Sequence, residues 1–374
     1  MTATFNSRVK SVVAELREVL VPWLTVRLLI AVGFITAYAI SEHLVPNARP
    51  TVLTEGLIAW DGTWYRDIAN LGYNAVAPDG LRFFPLFPLL GEALSVFTFG
   101  RTDVALVLIA NVASLALAVA VRRLVLFERG SKELATRAVW MVCLFPGAFV
   151  LAWGYAEALW ILAAVAGFWA IRTRRWGWAI AAGLILGFSR PLGVAFAAPA
   201  AIELVRVWRS TQTPERALGI TAVLSPFVAT GAYLIWVGQN FGDSWLPFTV
   251  QNSLRGTSAN PITRVWDGLT QMFGTERFGD GLHIPFAIVF VVLLVLTFRW
   301  WAVSYGVFAA IVLAAALGAD NLNSLERYGL NAFPLALTLA IVAKNPKFDR
   351  VVVTVLAGGV VALTALSWTG AYVP

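Results

Sequence analysis

The stretch Trp60–Tyr73, WDGTWYRDIANLGY, together with Arg82–Leu90, RFFPLFPLL, decides how the chain is to be read. It is polar, acidic and aromatic, and it follows directly on the first long apolar run of an almost continuously hydrophobic sequence. Hydrophobic residues make up 59% of the 374 residues and charged ones 13%, with a mean hydropathy of +0.75. An ordinary globular domain carries roughly 25% charge. The composition is that of an all-α polytopic membrane protein, and a water-facing acidic element between membrane segments is where chemistry is expected.

At about 20 residues per span, the apolar runs between residues 22 and 368 accommodate about eleven spans, with 1–374 forming one membrane domain. Polar sequence concentrates in a first outer loop, 45–102, and a second, 239–281. A cleavable signal peptide is not expected, because Arg8, Lys10, Glu15, Arg17 and Glu18 precede a long span with no small-residue cleavage pattern after it. Cys143 is the only cysteine, and His43 and His283 are the only histidines, which excludes a disulfide within the chain and a Cys/His zinc cluster. Asp61, Asp79, Asp267 and Asp280 are scattered and form no divalent-cation motif, so neither a metal nor another cofactor is expected.

The net charge of +7 would suggest nucleic acid for a soluble protein, but here its distribution matters more. All lysines and the cluster Arg122–Arg137 fall on one side, and Glu55, Asp61, Asp243, Glu276, Asp280, Asp320 and Glu326 on the other. By the positive-inside bias the N-terminus is cytoplasmic, the acidic loops and any active site face outward from the plasma membrane, and the partner is the bilayer rather than nucleic acid. The apolar segment 83–99 would reverse this parity if it crossed. Pro85 and Pro88 break helical hydrogen bonding, and the segment is expected to form a re-entrant or interfacial hairpin over a cavity.

After Asp61, the residues Trp64, Ile68 and Leu71 recur at helical spacing and Gly72 supplies a stop, which predicts a short interfacial helix carrying Trp60, Trp64, Tyr65 and Tyr73 at the headgroup level. Asp61 has two readings from this pattern: the N-cap of that helix, bonded to the backbone of Thr63 or Trp64, or a catalytic carboxylate.

Trp60-Asp61, Trp64-Tyr65, Ile68-Ala69, Gly72-Tyr73 and Phe83-Phe84-Pro85-Leu86 followed by Pro88-Leu89 resemble the first outer loop of the bacterial relatives of GPI mannosyltransferase II, in the GT-C superfamily. Ser189-Arg190-Pro191-Leu192-Gly193 is similar to the family's arginine-containing break between spans. Glu326-Arg327-Tyr328 with Ala332-Phe333-Pro334-Leu335 is similar to its RY and FPL signature. The resemblance implies a GT-C-like bundle and an enzyme that moves a sugar, typically mannose, from a polyprenyl-phosphate donor to a membrane lipid, glycan or protein acceptor, with Asp61 as general base. An inverting transfer needs one carboxylate to take the acceptor's proton, whereas a phosphate leaving group needs positive charge and no protonation.

Arg190 and Arg327, at outer ends of spans, are the first candidates to grip that phosphate, against a bland reading of snorkelling or pairing with Glu326 or Asp320. His283 is a further candidate donor to phosphate or sugar. Trp60, Trp64, Tyr65 and Arg82 are the candidate substrate contacts, Arg82 alternatively anchoring the loop in the headgroups. Glu157 is read as a helix-end residue, Asp67 as pairing with Arg66 or water, and Arg172, Arg174 and Arg175 as a topology signal touching anionic lipid. Gly183 with Gly187, and Gly358 with Gly359, suggest close helix packing. No phosphate-binding glycine loop is present, which argues against nucleotide chemistry. A transporter or lipid flippase is the competing class, opposed by the lack of an internal repeat and by acids gathered on one face.

Overall fold

A computed structural model describes residues 2–44, 51–256, 260–273, 279–319 and 321–374; Glu276 and Asp320 lie outside the described residues. The described residues are all-helical. In chain order the helices are α1 (Thr2–Ala39), α2 (Asp61–Leu71), α3 (Leu86–Ser95), α4 (Thr102–Arg129), α5 (Lys132–Leu144), α6 (Glu157–Arg172), α7 (Trp176–Ser189), α8 (Ala197–Val207), α9 (Thr213–Phe241) and α10 (Leu246–Arg255). There follow α11 (Pro261–Met272), α12 (Ile284–Trp300), α13 (Val303–Leu317), α14 (Leu325–Asn331), α15 (Pro334–Val342) and α16 (Pro346–Trp368).

Each of the eleven expected spans overlaps α-helix, the one read at 138–152 only as far as Leu144, and they are of two kinds. Six helical segments, Glu15–His43, Thr102–Arg129, Pro191–Ser210, Thr213–Phe241, Asp280–Trp300 and Pro346–Trp368, are long and apolar enough to cross a bilayer. The others are short or interrupted: α5 has 13 residues, α6 16, α7 14 and α13 15, and the apolar run 328–343, which reads as one span in sequence, is divided between α14 and α15. Interrupted helices free backbone groups inside an apolar bundle, and those groups must find partners within the protein. The break 145–156 between α5 and α6 shows how. Arg27, in the middle of α1, donates to the Leu151 carbonyl at 3.4 Å and to Asn111 Oδ1 at 3.0 and 3.1 Å, while Asn111 Nδ2 donates to the Ala152 carbonyl at 3.0 Å.

Gly147 in this break has φ +80°, a conformation that costs a residue with Cβ about 1–2 kcal/mol. A Cβ there would also stand 2.9 Å from the Arg327 backbone nitrogen and 3.0 Å from the Glu326 carbonyl carbon. The break and α14 therefore touch backbone to backbone.

The segment 83–99 is not a hairpin. It forms the single helix α3, with Pro85 as its N-cap residue and Pro88 in its first turn, followed by one 3-10 turn at Val96–Thr98. First-turn residues have no intrahelical partner for their N–H groups, so these prolines open a helix where they would have broken its interior. Helix α2 runs as predicted from Asp61 to Leu71, and Gly72, at φ +74°, ends it. Its buried face is Gly62, Tyr65, Ile68 and Ala69, whereas Leu71 is exposed, because α2 turns its tyrosine face onto the bundle.

The glycine pair of α7 packs as expected: a Cβ on Gly183 would meet Ser225 Oγ at 2.0 Å, and one on Gly187 the Pro226 carbonyl oxygen at 2.3 Å, both on α9. Gly358 and Gly359 face open space and make no such contact. Arg172 is no lipid-facing charge. Its guanidinium bonds Glu128 at 2.7 Å and Glu203 at 3.2 Å, Glu203 also receives Ser304 at 2.6 Å, and Glu128 receives Tyr305 at 3.1 Å. This network ties α4, α6, α8 and α13 together at the opposite end of α6 from Glu157.

The close backbone approach at Gly147 predicts that Gly147→Ala lowers stability by about 2 kcal/mol or more through strain and overpacking. Thermal melting of the purified protein in detergent measures it, and an unchanged melting temperature would contradict the backbone contact.

Candidate functional site

The site begins with a strained turn. Trp60, a bulky residue, takes φ +60° and ψ −120°, a conformation that persists only where its surroundings enforce it. Its N–H donates to Glu55 Oε2 at 3.3 Å and its indole Nε1–H to the Ser367 carbonyl at 3.0 Å. The indole of Trp368 donates in turn to the Gly56 carbonyl at 2.9 Å, so the C-terminal end of α16 holds the loop. With its backbone pinned this way, the chain enters α2 with the Asp61 side chain facing a cavity of about 580 Å³.

Trp60, Asp61, Trp64, Tyr65, Arg82, Arg190 and Arg327 all line that cavity. Residues separated by more than 260 positions thus meet at one point, because α2, the break after α7 and the short helix α14 end at the same level. Trp64 stacks on Phe83 with centroids 5.9 Å apart, and the Arg82 guanidinium lies 4.7 Å from the Phe83 centroid and 5.9 Å from that of Trp64. Arg82 makes no ion pair among the described residues, and its buried Nε has no hydrogen-bond partner. Arg82 therefore presents a charge with no ion-pair partner among the described residues, and its ring contacts hold the guanidinium in place.

The other charges form a line. Arg190 Nη1 lies 2.5 Å from Glu157 Oε1, the same Glu157 oxygen lies 3.4 Å from Arg327 Nη1, and Arg327 Nη1 lies 2.5 Å from Asp61 Oδ2. Arg327 Nη2 also donates to Ser324 Oγ at 3.3 Å. The side chains of Glu157 and Arg327 are 1% and 5% exposed, whereas Asp61 is 24% exposed and is the carboxylate of the line that reaches the cavity. Burial works to raise the Asp61 pKa, but the guanidiniums of Arg327, Arg82 and Arg190 outweigh it and hold the carboxyl below its ordinary value. Asp61 is ionised at neutral pH. It is not the N-cap: Trp60 holds that position without a side-chain bond, the Asp61 N–H donates to the Tyr155 hydroxyl at 3.1 Å, and its carboxylate is taken by Arg327.

His283 is the one predicted site residue that stands apart. It does not line the cavity. Its Nδ1 lies 2.9 Å from both carboxylate oxygens of Glu326, which also accepts the Tyr372 hydroxyl at 2.8 Å, and all three are buried. Of the two pairings read for Arg327, Asp320 lies outside the described residues, and Glu326 points away to His283 while Arg327 turns to Asp61 and Glu157. Neighbours on a helix point in directions about 100° apart, so adjacency along the chain did not make them a pair. Asp67 pairs with Arg66 at 2.8 Å as expected.

Glu157 carries more than the helix-end role read for it, and Tyr155 and Arg27 went unassigned. The only sequence signals for them were a lone acid after Gly154-Tyr155 and an arginine inside the first span. Among the described residues no group of three or more His, Cys, Asp or Glu side chains is arranged to hold a metal ion.

No family model matches the chain, and no curated protein matches it significantly. Solved structures do. ArnT from Cupriavidus metallidurans, determined bound to undecaprenyl phosphate, superposes with a TM-score of 0.52 at 14% identity, covering 87% of this chain and 61% of its own. The oligosaccharyltransferase AglB from Archaeoglobus fulgidus, determined with an inhibitory peptide and a dolichol-phosphate, gives a TM-score of 0.44 at 12% identity, covering 92% of this chain and 54% of its own. The chain spans about three fifths of the length of ArnT. Its fold is the helical bundle of ArnT, and six of its helical segments are long and apolar enough for a multi-pass membrane protein.

The buried triad predicts that His283→Leu lowers stability by about 1–3 kcal/mol, the cost of a buried acceptor deprived of a donor. Melting curves measure that loss, and an unchanged melting temperature would contradict the buried pairing.

Proposed function

We propose that the protein is an inverting membrane glycosyltransferase that takes a sugar from a polyprenyl-phosphate donor and places it on a hydroxyl of a lipid, glycan or protein acceptor. The observation that carries this reading is one ionised carboxylate, Asp61, on the wall of a cavity that also holds three guanidiniums. The undecaprenyl phosphate in the ArnT structure supports a lipid phosphate as the ligand of such a cavity. Mannose as the sugar rests on the motif resemblance in the first outer loop, and an outward-facing site at the plasma membrane on the distribution of Lys and Arg.

In this mechanism the acceptor oxygen attacks the anomeric carbon from the face opposite the phosphate. Its proton passes to the Asp61 carboxylate as the new C–O bond forms. The bond between the anomeric carbon and the phosphate oxygen breaks, and its electron pair leaves on the lipid phosphate. That developing charge meets Arg82, Arg190 and Arg327, which are already placed and partly shielded from water, where electrostatic stabilisation is strongest. Planar guanidiniums suit phosphate oxygens because they donate two parallel hydrogen bonds. Trp60, Trp64 and Tyr65 offer ring faces and edges to the sugars.

Arg327 is shared between Asp61 and Glu157. A donor phosphate that draws on Arg327 weakens its hold on Asp61, so the base gains proton affinity once the donor is in place. The donor therefore binds before the acceptor is deprotonated.

Asp61→Asn keeps the size of the side chain and removes the base. Reconstituted protein carrying it is expected to lose at least about 10²-fold in transfer from labelled polyprenyl-phosphate-mannose, the usual size of a general-base contribution, while still binding the donor. Surviving transfer in this variant would move the base to another residue, and no transfer by the wild type with any donor would favour the transporter class. Because the folded pKa of Asp61 is depressed, the stability from its pairing with Arg327 is present above the ordinary carboxylate range. It is lost only as pH falls below that range through the lower folded value. Acid melting curves of wild type and Asp61→Asn should converge there.

A further inference from the structure

The proposed reaction gives the Glu157 carboxylate, in the line of charges behind the cavity, no task. It is 1% exposed, it opens α6 at the end of the break 145–156, and it touches no part of the cavity surface. Both cations of the line contact the same atom, Glu157 Oε1, Arg190 at 2.5 Å and Arg327 at 3.4 Å. Two guanidiniums brought that close in an apolar bundle repel each other, and a buried carboxylate between them is what allows both to stay charged and aimed the same way. No carboxylate other than Asp61 and Glu157 is within ion-pair distance of either guanidinium among the described residues.

The charges of the cavity follow from this line. Three guanidiniums, Arg82, Arg190 and Arg327, stand against two carboxylates, Asp61 and Glu157, which leaves one net positive charge, located on the unpaired Arg82. Glu55 also lines the cavity, but it is exposed, its charge is screened by solvent, and its carboxylate accepts from the Trp60 backbone. A phosphodiester donor carries a single negative charge and a polyprenyl phosphate product up to two. The resting cavity matches the donor. Without Glu157 it would carry two net positive charges and would match the product.

We infer that Glu157 is a positioning residue that orients Arg190 and Arg327 as a pair and sets the charge of the cavity so that the lipid phosphate can leave. It acts through the two arginines and does not exchange a proton with either substrate. The inference rests on the glycosyltransferase reading and deepens it, assigning to a buried carboxylate the balance between donor capture and product release.

The experiment measures steady-state transfer by reconstituted full-length protein from polyprenyl-phosphate-mannose, with inhibition by added polyprenyl phosphate, for wild type, Glu157→Gln and Glu157→Asp. Folded amounts are equalised by melting curves. Glu157→Gln is expected to lower kcat about tenfold or more, the effect of unpairing a buried charged contact. It is also expected to tighten product inhibition at least about threefold relative to the donor KM, since added positive charge favours a dianion over a monoanion. Glu157→Asp keeps the charge and withdraws the oxygen by one methylene. The ratio of product inhibition to KM should keep the wild-type value while kcat stays reduced. Glu157→Met removes the same charge as the glutamine variant, and the tightened ratio is read from it if the glutamine variant fails to fold.

A purely structural Glu157 would lower stability without moving that ratio in any folded variant, and this result overturns the inference. Loss of activity in Glu157→Gln with transfer retained in Asp61→Asn overturns it too, because Glu157 would then be the base. Failure of the wild type to transfer at all overturns the glycosyltransferase reading itself, which keeps the two failures apart.

Discussion

The structure depends on a line of four alternating charges, Arg190, Glu157, Arg327 and Asp61, set in a bundle whose interior is largely aromatic and aliphatic. An isolated charge in such surroundings is costly, and removal of either central member, Glu157 or Arg327, leaves an end of the line unpaired. The elements that carry the line therefore constrain one another. Glu157 opens α6, Arg190 follows α7, Arg327 lies on α14 and Asp61 opens α2, so four helices must end at a common level for the charges to meet.

Those endings explain why several spans are short. A continuous helix satisfies its own backbone but presents only a side-chain surface, whereas an interrupted one delivers side chains and loop backbone into the interior at the cost of unsatisfied carbonyls and amides. Arg27 and Asn111 supply the missing donors at the break before α6. Leu322 N donates to Asp280 Oδ1 and Ser324 Oγ to the Pro374 carbonyl oxygen at the entry to α14. Polar residues that look isolated in a membrane sequence are thus often the partners of broken backbone. A second buried network around Arg172 performs a different service at the far end of α6, joining four helices through carboxylates of their neighbours.

Much of this was legible from local pattern. The interfacial helix opening at Asp61 and ending at Gly72 follows from spacing and a stop signal, and the tight glycine face of α7 from two small residues four apart. Seven of the eight site residues named from the sequence line one cavity. The misreadings share one cause, a local rule applied without its position. Prolines read as helix breakers sit where a helix begins, and the arginine run beginning at Arg172 was read by composition although its first member faces inward. His283 was placed by its proximity to a span entrance, yet its ring turns toward Glu326.

By itself, the sequence determined the membrane class, the helical segments and the residue types available for chemistry, because apolar run length, helical period and stop signals act over a few turns of chain. Only the tertiary structure decided which charges meet: that Glu157 sits between two arginines, that Arg327 turns from its neighbour Glu326 to Asp61, and that Arg82 has no ion pair among the described residues. Pairing of charges in an apolar interior is a matter of distances of a few ångströms between residues far apart in the chain. Those distances are set by where the interrupted helices end.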